Sequence, residues 1–138
     1  MMNEQAERYA SRRVLVVEDE DRLRGILARY LRARGHDVIE ASSGADARRA
    51  LGVAGIDVLL LDINLSDETG WDVLRWLRRP AGPRPPPRVV VVSAVPPSAK
   101  RLEQFRPDAV LNKPFPIDAI ARLVETSCQP VVDQDGWE

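Results

Sequence analysis

Five short runs limit what this chain can become more than any other feature. RRVLVV (12–17), IDVLLLD (56–62) and RVVVVSA (88–94) each carry an unbroken apolar stretch. HDVIEA (36–41) alternates more, and DAVLNKPF (108–115) stops at Pro114. A strand that is apolar on both faces must be covered on both faces, which requires a parallel sheet between helical layers. The segments between the runs supply those layers. Leu23, Ile26, Leu27, Tyr30 and Leu31 recur at helical spacing after Asp21, and Gly35 sits where that helix would stop. SSGADARRAL (42–51) is a helix opened by serine, and GWDVLRWLRR (70–79) places Val73, Leu74 and Leu77 inward. PPSAKRLEQF (96–105) permits only a short helix, and PIDAIARLVETS (116–127) puts Ile117, Ile120 and Val124 on one face. PAGPRPPP (80–87) holds five prolines in eight residues and excludes both helix and central strand. The expectation is an α/β, doubly wound parallel sheet of five strands with helices on both faces.

A chain of 138 residues suits one domain with a real core. We expect a loose leader over 1–12, the domain over 13–127 and a short tail over 128–138. The formal charge of −1 argues against a dedicated nucleic-acid binder. Cys128 is the lone cysteine and offers no disulfide framework, which fits a reducing compartment. The polar, acid-bearing N-terminus is no secretory signal, and no apolar run approaches the ~20 residues needed to span a bilayer. A cytoplasmic protein without membrane contact is expected. Eighteen arginines stand against two lysines, Lys100 and Lys113. Generic surface cations here are arginines, so a lysine flags a specific chemical need.

Parallel sheets of this kind bind ligands beyond the carboxyl ends of their strands. Glu18 and Asp19, Asp62, Ser93, and Lys113 stand just past four of those ends. Two like charges about 4 Å apart repel by roughly 4 kcal/mol at an effective dielectric near 20. Carboxylates gathered this way call for a cation, and hard oxygen ligands suit Mg²⁺. A metal and a lysine together suit a phosphoryl group, whose charge both neutralise.

At this point the pieces VLVVEDE, VLLLDINLSDETGWDVLRWLR, VVVVSA and LNKPF, in that order and each at a strand end, resemble the receiver domain of two-component response regulators over roughly residues 13 to 126. The resemblance implies a flavodoxin-like strand order of 2-1-3-4-5. It implies Asp62 as phosphoacceptor, with Asp19, Asp62 and the backbone carbonyl of Asn64 as Mg²⁺ ligands and Glu18 assisting through water. Ser93 would hydrogen-bond the phosphoryl group, Lys113 would pair with one of its oxygens, and the Lys113–Pro114 bond would be cis. The implied partners are a sensor histidine kinase or phosphotransfer protein and an unknown downstream protein target. The domain would catalyse only its own phosphorylation and dephosphorylation. Three departures stand out. Ser66 and Thr69 replace a usual proline and a frequent acid, and are expected to loosen the loop after Asp62. Val110, three residues before the lysine, replaces the usual aromatic switch residue.

Blander readings compete at several positions. Asp21, and equally Glu20, fit a helix N-terminus, where the macrodipole favours acids by about 0.3–1 kcal/mol. His36 reads as a surface residue at a helix end. The arginines at 22, 24, 29, 32 and 34 read mostly as the solvated face of the first helix, and Trp71, Trp76 and Trp137 show no base-stacking pattern. Two alternative functions follow. A degenerate receiver would act as a constitutive docking or dimerisation module. A haloacid-dehalogenase-type phosphohydrolase would also use an aspartyl nucleophile, but DIN (62–64) puts Asn64 where that family needs an acid.

Overall fold

The computed structural model describes residues 11–53 and 55–126. Strands and helices alternate without exception: β1 (Arg13–Val17), α1 (Asp21–Ala33), β2 (Asp37–Ala41), α2 (Gly44–Val53), β3 (Val58–Asp62), α3 (Gly70–Leu77), β4 (Arg88–Ser93), α4 (Ala99–Phe105), β5 (Ala109–Asn112) and α5 (Ile117–Thr126). The five strands form one sheet in the order β2-β1-β3-β4-β5, and every pairing is parallel. This is the doubly wound arrangement that the apolar runs demanded.

Strand periodicity sorts the core into two layers. Leu15, Val17, Leu59, Leu61, Val89 and Val91 face Ala47 and Leu51 of α2, Trp71, Val73, Leu74 and Leu77 of α3, and Phe105 of α4. Val14, Val16, Val58, Leu60 and Val90 face Leu27, Ala28 and Leu31 of α1 and Ile120 and Val124 of α5. Three helix starts are capped by side chains. Ser43 Oγ accepts from the Asp46 N–H, Thr69 Oγ1 from the Asp72 N–H, and Ser98 Oγ from the Arg101 N–H. Each such cap is worth about 1 kcal/mol.

Several expectations need correction. Ile26 is 41% exposed; the buried stripe of α1 is Leu27, Ala28 and Leu31, and Leu23 and Tyr30 pack beside it. His36 is buried, not a surface residue. Its Nδ1 accepts from the Arg12 N–H at 3.1 Å, so the ring proton is on Nε2, which donates to Glu125 Oε2 at 3.0 Å. Arg34 completes the group with two bonds to Glu125, at 2.6 and 2.8 Å. Arg34 is thereby removed from the plain solvated face expected of it. Just before β1, Ser11 Oγ donates to the Gly35 carbonyl and the Arg12 N–H meets His36. Residues 1–10 and the tail at 128–138, with Cys128 and Trp137, lie outside the described residues.

Candidate functional site

The topology makes the site. The chain leaves β1 outward to β2 and then crosses back to β3, so the carboxyl ends of β1 and β3 are neighbours where the winding reverses. Ligands bind at this switch point in open α/β sheets. Glu18 and Asp19 follow β1, Asp62 ends β3, Ser93 ends β4, and Lys113 follows β5. Glu18 and Asp62 are each only 3% exposed.

Lys113 holds the two buried carboxylates together. Its Nζ donates to Asp62 Oδ2 at 2.9 Å and to Glu18 Oε1 at 3.1 Å. Burial pulls the ammonium towards its neutral form, but the bonds to Asp62 and Glu18 outweigh it and raise its pKa. Glu18 moves further. Burial first, and then the adjacent Asp62, push its carboxyl up to about 7. The Glu20 N–H donates to its other oxygen at 3.1 Å and opposes the rise. One ammonium therefore does not balance this rim. Carboxylate oxygens of Glu18, Asp19 and Asp62 all lie within 4.8 Å of one another, a set of hard donors that fits a divalent cation such as Mg²⁺.

The loop after Asp62 is tied, not loosened. The Asn64 N–H donates to Asp62 Oδ1 at 2.9 Å, and Asn64 pairs with Thr69 in an isolated antiparallel bridge. Asp67 accepts from the N–H groups of Gly44 and Ala45, at 2.9 and 3.1 Å, which fastens the loop to the start of α2. Those bonds, Gly44 first, also hold the Asp67 carboxyl below its usual range. Thr69 caps α3. At Gly70 a Cβ would lie 2.6 Å from the Asp62 carbonyl oxygen, so only glycine lets α3 start this close to β3.

Ser93 shares the rim, but its hydroxyl is engaged elsewhere. It donates to the Val95 carbonyl and accepts from the Val95 N–H at 3.2 Å. The Lys113–Pro114 bond is cis, as the resemblance implied. Val110 packs half-buried against the layer of α2, α3 and α4. Arg24 is the residue the sequence reading missed. Its side chain is 16% exposed, and Nη1 donates to the Glu18 carbonyl at 2.8 Å while the head also bridges Asp21 and Glu40. It fixes the turn that carries Glu18 and Asp19. Its place three residues after Asp21 was the one available signal.

Comparison with known proteins agrees with this geometry. Residues 14–125 match the family model "Response regulator receiver domain". Transcriptional regulatory protein KdpE of Mycobacterium tuberculosis is 40% identical over 140 residues, covering 90% of this chain and 58% of that protein. Transcriptional regulatory protein GltR of Pseudomonas aeruginosa is 33% identical, covering 81% of this chain and 47% of its own. The chain thus spans about half the length of the curated relatives it matches. The signal receiver domain of a putative Luxo repressor protein from Vibrio parahaemolyticus superposes with a TM-score of 0.77 at 26% identity, covering 94% of this chain and 98% of that one. Among the described residues no helix is long and apolar enough to cross a membrane. The family match spans nearly all of the described sheet and helices and leaves no room for the phosphohydrolase alternative; the chain belongs to the response regulator receiver domains of two-component systems.

Proposed function

We propose that this receiver is a phosphorylation switch, formed by residues 13–127, in which Asp62 accepts a phosphoryl group from a histidine kinase or phosphotransfer protein. The observation that carries the reading is the Lys113 ammonium spanning Glu18 and Asp62 at the strand ends. An Asp62 carboxylate oxygen attacks the phosphorus of a phosphohistidine in line. The P–N bond breaks, and the imidazole leaves with that electron pair and takes up a proton. Lys113 then offers its donors to a phosphoryl oxygen. Ser93 exchanges its bond to the Val95 carbonyl for a second phosphoryl oxygen. Asp19, Asp62 and the Asn64 carbonyl, assisted by Glu18, would hold Mg²⁺, whose positive charge neutralises the phosphoryl oxygens. Water later attacks the phosphorus, the bond to Asp62 breaks, and the carboxylate and inorganic phosphate are released.

Because the relatives are named as transcriptional regulators and extend beyond this chain, we place the response in a downstream target contacted by the receiver surface. Any contact with nucleic acid falls to a separate segment or partner. The test is incubation with acetyl phosphate and Mg²⁺, read by intact mass. The wild-type protein gains one phosphoryl group and Asp62→Asn gains none. A gain that persists in the variant removes Asp62 from its role. Absence of any gain in the wild type favours the second reading, a constitutive docking module, for which the small Val110 at the switch position speaks.

A further inference from the structure

The arginine bias and the proline-rich connector meet at one place that the switch does not use. At the amino end of the sheet, a cavity of about 360 Å³ lies between the C-terminal end of α3 and residues 82–88. Its size falls within the range of small-molecule sites. Arg78, Arg79, Arg84 and Arg88 line it, with Asp108 as its one acid.

None of these four arginines has a carboxylate partner among the described residues. Arg78 donates to the carbonyls of Phe105 and Arg106, and Arg79 donates to the Trp76 carbonyl and lies over the Trp76 ring. Arg84 and Arg88 form no ion pair with any described residue; Arg88 Nε is buried without an acceptor, as are Arg12 Nε and Arg48 Nε away from the cavity. Asp108 Oδ2 accepts from the Val89 N–H at 2.7 Å, and no ion pair joins Asp108 to a described arginine. Several arginines elsewhere do have acids: Arg34 pairs with Glu125, Arg48 with Glu68 and Arg75 with Asp72.

The cavity is also built to stay open. Residues 80–87 hold five prolines, which restrict the backbone of one wall. The Gly82 N–H donates to the Arg79 carbonyl at 2.8 Å. A Cβ at Gly82 would lie 2.1 Å from the Leu77 carbonyl oxygen, so the connector sits directly on the end of α3. Leu77, Pro83, Pro86 and Pro87 supply apolar wall beside the charges.

We propose that this cavity binds a small phosphorylated ligand, with its phosphate on Arg88 and Arg84 and its remainder against the proline wall. Guanidinium matches phosphate in charge and in planar, two-pronged geometry. The ligand is either a nucleotide or a simpler phosphorylated metabolite, and the two are separable by experiment.

The test is an NMR titration without Mg²⁺, using inorganic pyrophosphate in one arm and ADP in the other, at constant ionic strength. Amide shifts should move at 77–88 and 108 and saturate. Arg88→Gln should weaken binding about tenfold or more, the loss expected for one charge-assisted hydrogen bond. Arg84→Gln, at an exposed position, should weaken it similarly and guards against misfolding of the first variant. Tighter binding of ADP than of pyrophosphate identifies a nucleotide, and equal binding identifies a simpler phosphate compound. Three results overturn the proposal: no saturation at millimolar probe, wild-type affinity retained in both variants, or shifts confined to residues near Asp62 and Lys113. The last would place the anion at the rim of the switch.

Discussion

The two ends of the sheet handle buried charge in opposite ways. At the carboxyl end, Glu18, Asp19 and Asp62 share one ammonium, and Glu18 is driven up to about 7. At the amino end, Glu125 is as deeply buried but is matched by Arg34 and by the Nε2–H of His36. Arg34 first, despite burial, holds the Glu125 carboxyl below its usual range. Both clusters bring distant parts of the chain together, so neither burial nor long-range contact marks a functional site by itself. What separates them is balance: the Glu125 cluster is complete, while the acidic rim still lacks positive charge.

The comparison breaks most sharply under the same substitution at each end. Glu125→Gln should lower stability by about 2 kcal/mol, because it leaves Arg34 short of its counter-charge in a half-exposed setting. In a domain of this size that lowers Tm by roughly 6–9 °C. The pH profile sharpens the point. Glu125 has a folded pKa below its ordinary 4.5, so the folded state binds fewer protons there than the unfolded chain. Its stabilisation is complete above about 4.5 and is lost as pH falls through the folded value. The variant should lack that acid-side decline in urea-melting experiments.

Glu18→Gln should act in the opposite direction and less strongly. In metal-free buffer the folded state keeps a proton on Glu18 that the unfolded chain releases between 4.5 and about 7. Stability should therefore fall as pH rises through that window and stay low above it. Removing the charge should raise stability at pH 8 by about 1–2 kcal/mol and flatten that fall. Loss of stability in both variants would show that the two clusters are alike.

Much of this architecture is legible in the residues. Unbroken valine and leucine runs specify strands covered on both faces, and the residue after each run is then placed on one rim. That reasoning brought Glu18, Asp19, Asp62 and Lys113 together without any measured contact. It could not reach features set by distant partners. His36 faces a residue 89 positions away, and no local pattern announces Glu125. Arg24 looks like any helix-surface arginine until the turn after β1 folds back over it. Ser93 stands at the predicted strand end, but its hydroxyl direction depends on the path of the following loop. Ser66 and Thr69 differ from the family pattern, and the tether comes instead from Asp67, an acid that sequence alone left unremarked.

The central claim is that the acidic rim lacks a cation, and a Mg²⁺ titration of thermal stability in the wild type and in Asp19→Asn tests it most directly. At a concentration tenfold above its dissociation constant, the ion should stabilise the wild type by about 1.4 kcal/mol. Asp19→Asn should show no such gain at matched ionic strength. A wild-type melting temperature that does not move with tens of millimolar Mg²⁺, or one that rises equally in the variant, would contradict the account.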